Sequence, residues 1–294
     1  MTKSLLISII ILLSVSCNKK DEELTYISVQ MKDIPYGPHI KQKLDISLPN
    51  NADKNNNVPI ALFIHGGSWI SGDKNDFDWI KETVNNYNFA YITINYRLLQ
   101  DNVTYKQMLE DITLSIEYLK NNSEKYYLKP DKIFIMGSSA GGHLALLYSY
   151  SINSPIKIAC VSSQTGPTDF SDPDQISLNG KENLVILNNL LGTQITIQQL
   201  NDPDFSFPIA LKMASPIYHI SDDTPPTILA YGEKDNLVSY SNALRLKDKL
   251  EEHRIDHKLI NYPNSGHDLN NDPDKSQEYW ETLTYFIAKY MTGK

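Results

Sequence analysis

The run Lys132-Ile-Phe-Ile-Met-Gly-Ser-Ser-Ala-Gly-Gly-His-Leu-Ala145 decides the fold. It places a Gly-x-Ser-x-Gly pattern at residues 137–141, between an apolar stretch at 132–136 and a helical stretch at 140–150. The five-residue pattern is weak by itself, but a strand before it and a helix after it are what a nucleophile elbow requires. The sequence therefore predicts Ser139 as a nucleophile. Ser138 is the weaker alternative, because a hydroxyl one residue earlier points elsewhere.

A second glycine-containing turn follows another apolar run. Residues 65–69 read His-Gly-Gly-Ser-Trp and come directly after the strand-like residues 58–64. In a parallel sheet this turn lies at the carboxyl edge, where open α/β sheets bind ligands. Small residues there allow backbone N–H groups to face a substrate carbonyl. We predict an oxyanion hole formed by the N–H groups of Gly67, Ser68 and Ala140, with His65 orienting the loop rather than acting as a base.

The acid and the base are expected later in the chain, because sites with such an elbow run Ser, then Asp or Glu, then His. The strand-like residues 227–231 lead into Gly-Glu-Lys-Asp235, so Asp235 is the predicted acid, with Glu233 and Asp223 as alternatives. A further strand at 257–262 leads to His267, the predicted base. His143 lies one turn into the elbow helix, where a packing role is expected.

Strand-like and helical stretches alternate along most of the chain. Continuously apolar strands that alternate with helices predict an α/β class, with a mostly parallel, doubly wound sheet covered by helices on both faces. Residues 26–48 are expected to form an edge hairpin. Residues 171–215 interrupt the alternation, and so long an insert favours a small lid, with packing without a substrate role as the alternative. Helices are predicted at 76–87, 105–127, 140–150, 238–253 and 277–290.

Composition limits the classes of function. The chain has 294 residues, 41% hydrophobic and 21% charged, which fits one globular domain at residues 31–294. A net charge of −8 argues against a nucleic-acid partner, which needs clustered Lys and Arg. No cluster has metal-ligand spacing, and no cofactor is predicted. Cys160 lies in an apolar run and is expected to be buried in a strand. The oligomeric state is not indicated.

The first residues differ from the rest of the chain. Lys3 precedes a short apolar stretch at 5–13, and Ser-Val-Ser-Cys17 follows. Residues 1–17 resemble a bacterial lipoprotein signal peptide with Cys17 as the acylated residue; an ordinary secretory signal is the alternative. Residues 18–30 are predicted to be a polar tether, and its Lys-Lys-Asp-Glu-Glu resembles an export tag of Bacteroidetes surface lipoproteins. This predicts a membrane partner through a lipid anchor in the bacterial envelope, at the outer membrane or cell surface, and otherwise a periplasmic or secreted protein.

Several motifs occur together in the chain, at residues 65–74, 95–97, 131–145, 166–169, 214–216 and 232–235. The chain resembles α/β-hydrolase carboxylesterases related to the hormone-sensitive-lipase group, in the branch of Bacteroidetes feruloyl and acetylxylan esterases (BD-FAE). The resemblance implies removal of acetyl or feruloyl groups from polysaccharide or small esters by a Ser-His-Asp acyl-enzyme mechanism. An arylformamidase-like amidohydrolase and a non-catalytic binding lipoprotein are the alternatives. One departure is Ser68, where many relatives have a third glycine.

Overall fold

The computed structural model describes residues 29–100, 102–178, 181–200, 202 and 208–293. The predicted signal peptide at 1–17, the lipidation site Cys17 and the tether up to residue 28 lie outside the described residues. The first strand begins at Val29, so residues 29 and 30 at the end of the predicted tether pair with the next strand. Within the described ranges, no helix combines the length and the apolar character needed to cross a membrane.

One sheet of eight strands forms the centre of the described chain. Its order is β1-β2-β4-β3-β5-β6-β7-β8. β2 runs antiparallel to both of its neighbours, and all other pairs are parallel. The predicted edge hairpin is therefore present, and the predicted α/β-hydrolase fold is confirmed. The strands are β1 (Val29–Pro35), β2 (Lys43–Leu48), β3 (Val58–Ile64), β4 (Ala90–Ile94), β5 (Leu128–Ser138), β6 (Lys157–Gln164), β7 (Thr227–Gly232) and β8 (His257–Tyr262).

Helices cover both faces of this sheet. Alternate residues of a strand point to opposite faces, so the apolar strands serve two cores. In β5, Ile133 and Ile135 pack in one core with α2, α3 and α8, whereas Phe134 and Met136 pack in the other with α9. The helices are α1 (Lys81–Asn86), α2 (Tyr105–Asn121), α3 (Ala140–Ser151), α4 (Pro173–Leu178), α5 (Lys181–Leu191), α6 (Ile197–Leu200), α7 (Ile209–Ala214), α8 (Tyr240–Glu252) and α9 (Pro273–Ile287).

The prediction of one continuous helix at 76–87 is wrong. The structure has a 3₁₀ segment at Lys74–Ile80, followed by the short α1. The segment begins early because Asp73 caps it, accepting from the N–H of Asn75 while Asp76 reaches back to the N–H of Asp73. Lys74 is also held in place, since its buried ammonium group lies 3.0 Å from Asp45 Oδ2. This early start shapes the rim of the site described below.

Two further helix boundaries differ from the predictions. The helix predicted at 105–127 ends at Asn121, where the side chain of Asn122 donates to the Tyr118 carbonyl 2.8 Å away. The last helix begins at Pro273 rather than residue 277, because proline is well suited to a first helical turn. It continues into a wider π turn at Ala288–Thr292.

The insert at 171–215 contributes α4, α5, α6 and α7 within its described part. It stands beside the carboxyl ends of β6 and β7. Gln175 of α4 binds the chain beyond β7, donating to the Leu237 carbonyl at 3.0 Å and accepting from the Ser239 N–H at 2.9 Å. The insert is therefore attached to the same edge of the sheet as the predicted site residues.

Candidate active site

Ser139 occupies a sharp turn between β5 and α3. Its backbone has φ 53° and ψ −123°, a conformation that costs a residue with a Cβ of the order of 1–3 kcal/mol. Hydrogen bonds hold it: the Ser139 N–H donates to Gln164 O at 2.7 Å, and Ser139 O accepts from the His143 N–H at 3.0 Å. The two pattern glycines are needed for space. A Cβ at Gly137 would lie 2.1 Å from Gly141 O, and one at Gly141 would lie 2.1 Å from Ile64 O.

The structure brings the three predicted site residues together. His267 Nε2 lies 2.9 Å from Ser139 Oγ, and His267 Nδ1 lies 2.7 Å from Asp235 Oδ2. The Asp235 side chain is fully buried, and its Oδ1 accepts from the N–H groups of Leu237 and Val238 at 2.8 and 3.0 Å. Both carboxylate oxygens of Asp235 thus act as hydrogen-bond acceptors. Nδ1 therefore carries the hydrogen, and the Nε2 lone pair faces the serine hydroxyl.

The loop that carries His267 is braced against the loop that carries Asp235. A Cβ at Gly232 would lie 2.4 Å from Gly266 O, so the two loops touch along their backbones. Asp272 fastens the histidine loop, accepting from Ser265 Oγ at 2.6 Å and from the Asn264 N–H at 3.0 Å. Our sequence reasoning missed Asp272. Its only signal is its place at the start of the last helix.

The Gly66–Ser68 turn lies directly against the nucleophile. A Cβ at Gly66 would be 2.9 Å from Ser138 O and 3.2 Å from Ser139 Cβ. Gly67 has φ 103° and Ser68 has φ 52°, and the turn closes with Ile70 and Ser71 N–H groups donating to Gly67 O at 3.0 Å. Within the described residues, the N–H groups of Gly67, Ser68 and Ala140 have no hydrogen-bond acceptor. Ala140 also opens α3, whose N-terminal dipole favours negative charge.

His65 braces this turn. It is 1% exposed, and its ring stacks on Tyr96 with centroids 4.4 Å apart. Its Nδ1 lies 2.8 Å from Gly66 O, and a carbonyl can only accept, so Nδ1 carries the hydrogen. Burial lowers the pKa of His65. The side chain is thus neutral, has its hydrogen bond inside the loop, and does not reach Ser139.

His143 connects three parts of the site. Its Nδ1 accepts from Trp69 Nε1–H at 3.2 Å, and its Nε2–H donates to the Ala214 carbonyl at 2.7 Å. Burial lowers the pKa of His143 to about 4, so the imidazole is neutral at pH 7. It links the glycine turn, the elbow helix and the end of the insert. The sequence indicated helix packing here, but gave no signal for these two hydrogen bonds.

The alternative candidates lie elsewhere. Glu233 Oε1 accepts from Asn261 on the surface, and Asp223 is exposed in the loop before β7. Neither contacts His267. Cys160 is fully buried in β6, where burial raises the pKa of its thiol to about 12. Its thiol is therefore protonated at neutral pH and has no part in the arrangement around Ser139.

Asn242 of α8 organises the loop after β6, at the Gly-Pro-Thr-Asp169 motif. Its Oδ1 accepts from the N–H groups of Thr168 and Asp169 at 2.8 and 2.9 Å, and its Nδ2 donates to Asp172 at 2.8 Å. The fully buried carboxylate of Asp169 accepts from Arg245 Nη2 at 2.5 Å. Sequence reasoning missed Asn242, since no pattern marks one polar residue within an amphipathic helix.

Two clefts meet at Ser139 and His267. The first runs beneath the insert. Its walls are mainly apolar, and include Trp69, Phe170, Ile186, Leu187 and Val238. The second opens on the other side, past the glycine turn towards Asp76 and Trp79. A substrate with its reacting carbon at Ser139 would therefore have one cleft for the group on each side of that carbon.

This arrangement has the parts that acyl transfer needs. A hydroxyl lies against a hydrogen-bonded imidazole, the imidazole is oriented by a buried carboxylate, and free backbone donors lie beside the hydroxyl. In the part of the chain that the structure covers, no three His, Cys, Asp or Glu side chains are placed to hold a metal ion.

Several known proteins that are similar to this chain in sequence or in fold are named as esterases. The family model described as BD-FAE matches residues 44–250. The esterase LipQ of Mycobacterium tuberculosis is 27% identical over 230 residues, which is 74% of this chain and 53% of LipQ. The chain thus spans about half the length of the curated relatives it matches.

Two solved structures share the fold. A truncated carbohydrate esterase from gut microbiota superposes with a TM-score of 0.76 at 21% identity, covering 92% of this chain and 98% of that one. Esterase B from Lactobacillus rhamnosis superposes with a TM-score of 0.71 at 20% identity, covering 90% and 87%. At these identities the likeness shows the fold alone.

Proposed function

Since this chain belongs to the BD-FAE family, we propose that it is a serine-dependent carboxylic ester hydrolase. Ser139 is the nucleophile, His267 the general base and Asp235 the acid that orients it. One observation carries the proposal: the continuous hydrogen-bonded chain from Ser139 Oγ through His267 to the buried Asp235 carboxylate. A serine with a purely structural role would not require this series of hydrogen bonds to a buried carboxylate.

The mechanism follows from the geometry. His267 Nε2 takes the hydroxyl proton as Ser139 Oγ attacks the ester carbonyl carbon. The N–H groups of Gly67, Ser68 and Ala140 then stabilise the oxyanion, each by about 3 kcal/mol. His267 returns the proton to the departing alcohol oxygen as the carbon–oxygen bond breaks. Water attacks the acyl-enzyme with His267 again as base, and the carboxylic acid leaves with Ser139 restored.

We propose acetyl or feruloyl groups, carried by polysaccharide or by small esters, as the acyl groups removed. The support is the motif pattern, the family, and a structural neighbour that is named a carbohydrate esterase. The mainly apolar walls of the first cleft, beside Ser139, suit an apolar acyl group.

A panel of p-nitrophenyl acetate, methyl ferulate, a p-nitrophenyl ester of a longer fatty acid and N-formylkynurenine tests this proposal. We expect hydrolysis of the acetyl or feruloyl ester with kcat/KM at least tenfold above that of the other substrates. Preference for N-formylkynurenine would support the amidohydrolase alternative instead. Inactivity on every substrate, by folded protein, would support the binding lipoprotein.

We also propose that residues 1–16 are removed by cleavage before Cys17 and that Cys17 is acylated, which anchors the protein in the bacterial envelope. The support is the short apolar stretch at 5–13 before a cysteine, together with the stable anchoring that more than one acyl chain provides. Mass spectrometry of protein expressed in a Gram-negative host should show a lipid-modified N-terminus at Cys17. An unmodified N-terminus at another residue would contradict the proposal.

A further inference from the structure

An exposed tryptophan borders the second cleft. Trp79 is 63% exposed, although indole is among the most costly side chains to leave in water. Its ring packs edge-to-face on Trp280, with centroids 5.6 Å apart and an angle of 80° between the planes. Trp280 packs in the same way on the fully buried Tyr279, 5.0 Å away. The exposed Trp79 ring is thus kept in position by aromatic contacts that connect it to the core.

The position of Trp79 follows from the early 3₁₀ segment. The Asp73 cap and the buried Lys74 fix the start of this segment, which brings Asp76 and Trp79 to the rim of the second cleft. The same cleft reaches the Gly66–Ser68 turn, Ser139 and His267. The aromatic face and the reacting groups therefore line one continuous surface.

We propose that the second cleft binds the neutral sugar ring that bears the ester, with Trp79 as its stacking platform. This rests on the proposed ester hydrolysis and names the alcohol half of the substrate. The C–H groups on one face of a pyranose carry slight positive charge and pack against the negative face of an indole. Asp76 lies exposed beside Trp79; its Oδ2 accepts from the Asp73 N–H, and its Oδ1 can accept from a sugar hydroxyl.

The division of the substrate between the clefts follows from their shapes. The first cleft runs beneath the insert and has mainly apolar walls, which suit a single acyl group. A polymer cannot be enclosed there, because its chain must continue beyond the esterified ring in both directions. The second cleft is the more open of the two and leaves that path clear. The alcohol oxygen then lies near His267, which must protonate it.

Charge selects among sugars. No Lys or Arg is among the described residues that line the second cleft, and Asp76 contributes a carboxylate there. A uronic acid ring would bring a second negative charge next to Asp76 without a cation to pair it. Neutral sugars such as xylose are therefore favoured over galacturonate.

A Trp79→Ala variant tests the subsite. With acetylated xylo-oligosaccharides we expect kcat/KM to fall about tenfold, mainly through KM, because the stacking surface is lost. With ethyl acetate, whose alcohol half carries no ring that could stack on Trp79, the activity should stay within twofold. Tyr87→Ala is the matched control, since Tyr87 is 61% exposed and lines neither cleft. We expect it to change neither activity, and Trp79→Phe to retain most of the oligosaccharide activity.

Equal effects of Trp79→Ala on both substrates, or none on either, would overturn the subsite. Acetylated galacturonate oligosaccharides cleaved as well as the xylose ones would overturn the charge argument. Binding separates the subsite from the catalysis. Titration of xylohexaose into Ser139→Ala protein should give heat that Trp79→Ala removes, whether or not esters are hydrolysed. Inactivity on p-nitrophenyl acetate with this binding intact would reject the esterase and keep the sugar site; absence of binding would reject the sugar site.

Discussion

A Ser139→Ala variant is expected to lose kcat towards p-nitrophenyl acetate by about 10⁴-fold or more, down to the rate left by binding and the oxyanion donors. The loss is large because without Oγ no acyl-enzyme forms, and the imidazole 2.9 Å away has no nucleophile to activate. The backbone turn is kept by its hydrogen bonds to Gln164 and His143. The thermal unfolding midpoint should therefore change little.

Ser138→Ala is the control for this prediction. It removes the neighbouring hydroxyl, which makes no hydrogen bond to His267, and we expect activity within a few-fold of the parent protein. Stopped-flow traces should show a burst of p-nitrophenol in the parent protein and in Ser138→Ala, but not in Ser139→Ala. If only Ser138→Ala lost the burst, Ser138 and not Ser139 would be the nucleophile.

Replacement of Asp235 by Asn is expected to lower kcat by about 10³- to 10⁴-fold at pH 7. The Asp235 carboxylate accepts from Nδ1–H of His267 and so leaves Nε2 as the acceptor for the serine proton. An amide can offer its N–H to Nδ1 instead, which moves the imidazole hydrogen to Nε2 and removes the base. KM should change less than kcat, because Asp235 is buried behind the imidazole.

Glu233→Gln is the matched control, because Glu233 is the acidic alternative on the same loop. Its carboxylate contacts Asn261 at the surface and not His267. We expect its kcat to remain close to that of the parent protein. Were Glu233→Gln as inactive as Asp235→Asn, with both variants folded by circular dichroism, the acid would be misassigned.

The parts of the site that follow strand ends could be predicted from the sequence. Ser139, Asp235 and His267 each follow a strand within one to five residues, and parallel strands bring their carboxyl ends to one edge of a sheet. The Gly-x-Ser-x-Gly pattern predicted a nucleophile only because a strand precedes it and a helix follows it. The resemblance to the BD-FAE family rested on motifs in this same order and is confirmed by the family match.

The supporting contacts could not be predicted. Asn242 binds residues more than 70 positions earlier, and His143 binds Trp69 and Ala214 at similar separations. Single polar residues have no periodicity, so nothing in the pattern distinguishes a buried bridge from a solvated side chain. The burial of Lys74 at the start of the 3₁₀ segment is a further case, since its ammonium group binds the distant residue Asp45. Both clefts arise from such long-range contacts.

The positive φ of Ser139 has a consequence for the timing of catalysis. The unfavourable backbone is imposed once, when the sheet and the elbow helix close around the turn. Every catalytic cycle then begins with the hydroxyl already aimed at its base and with the amide dipoles already aligned. Little reorganisation energy remains to be supplied by the substrate.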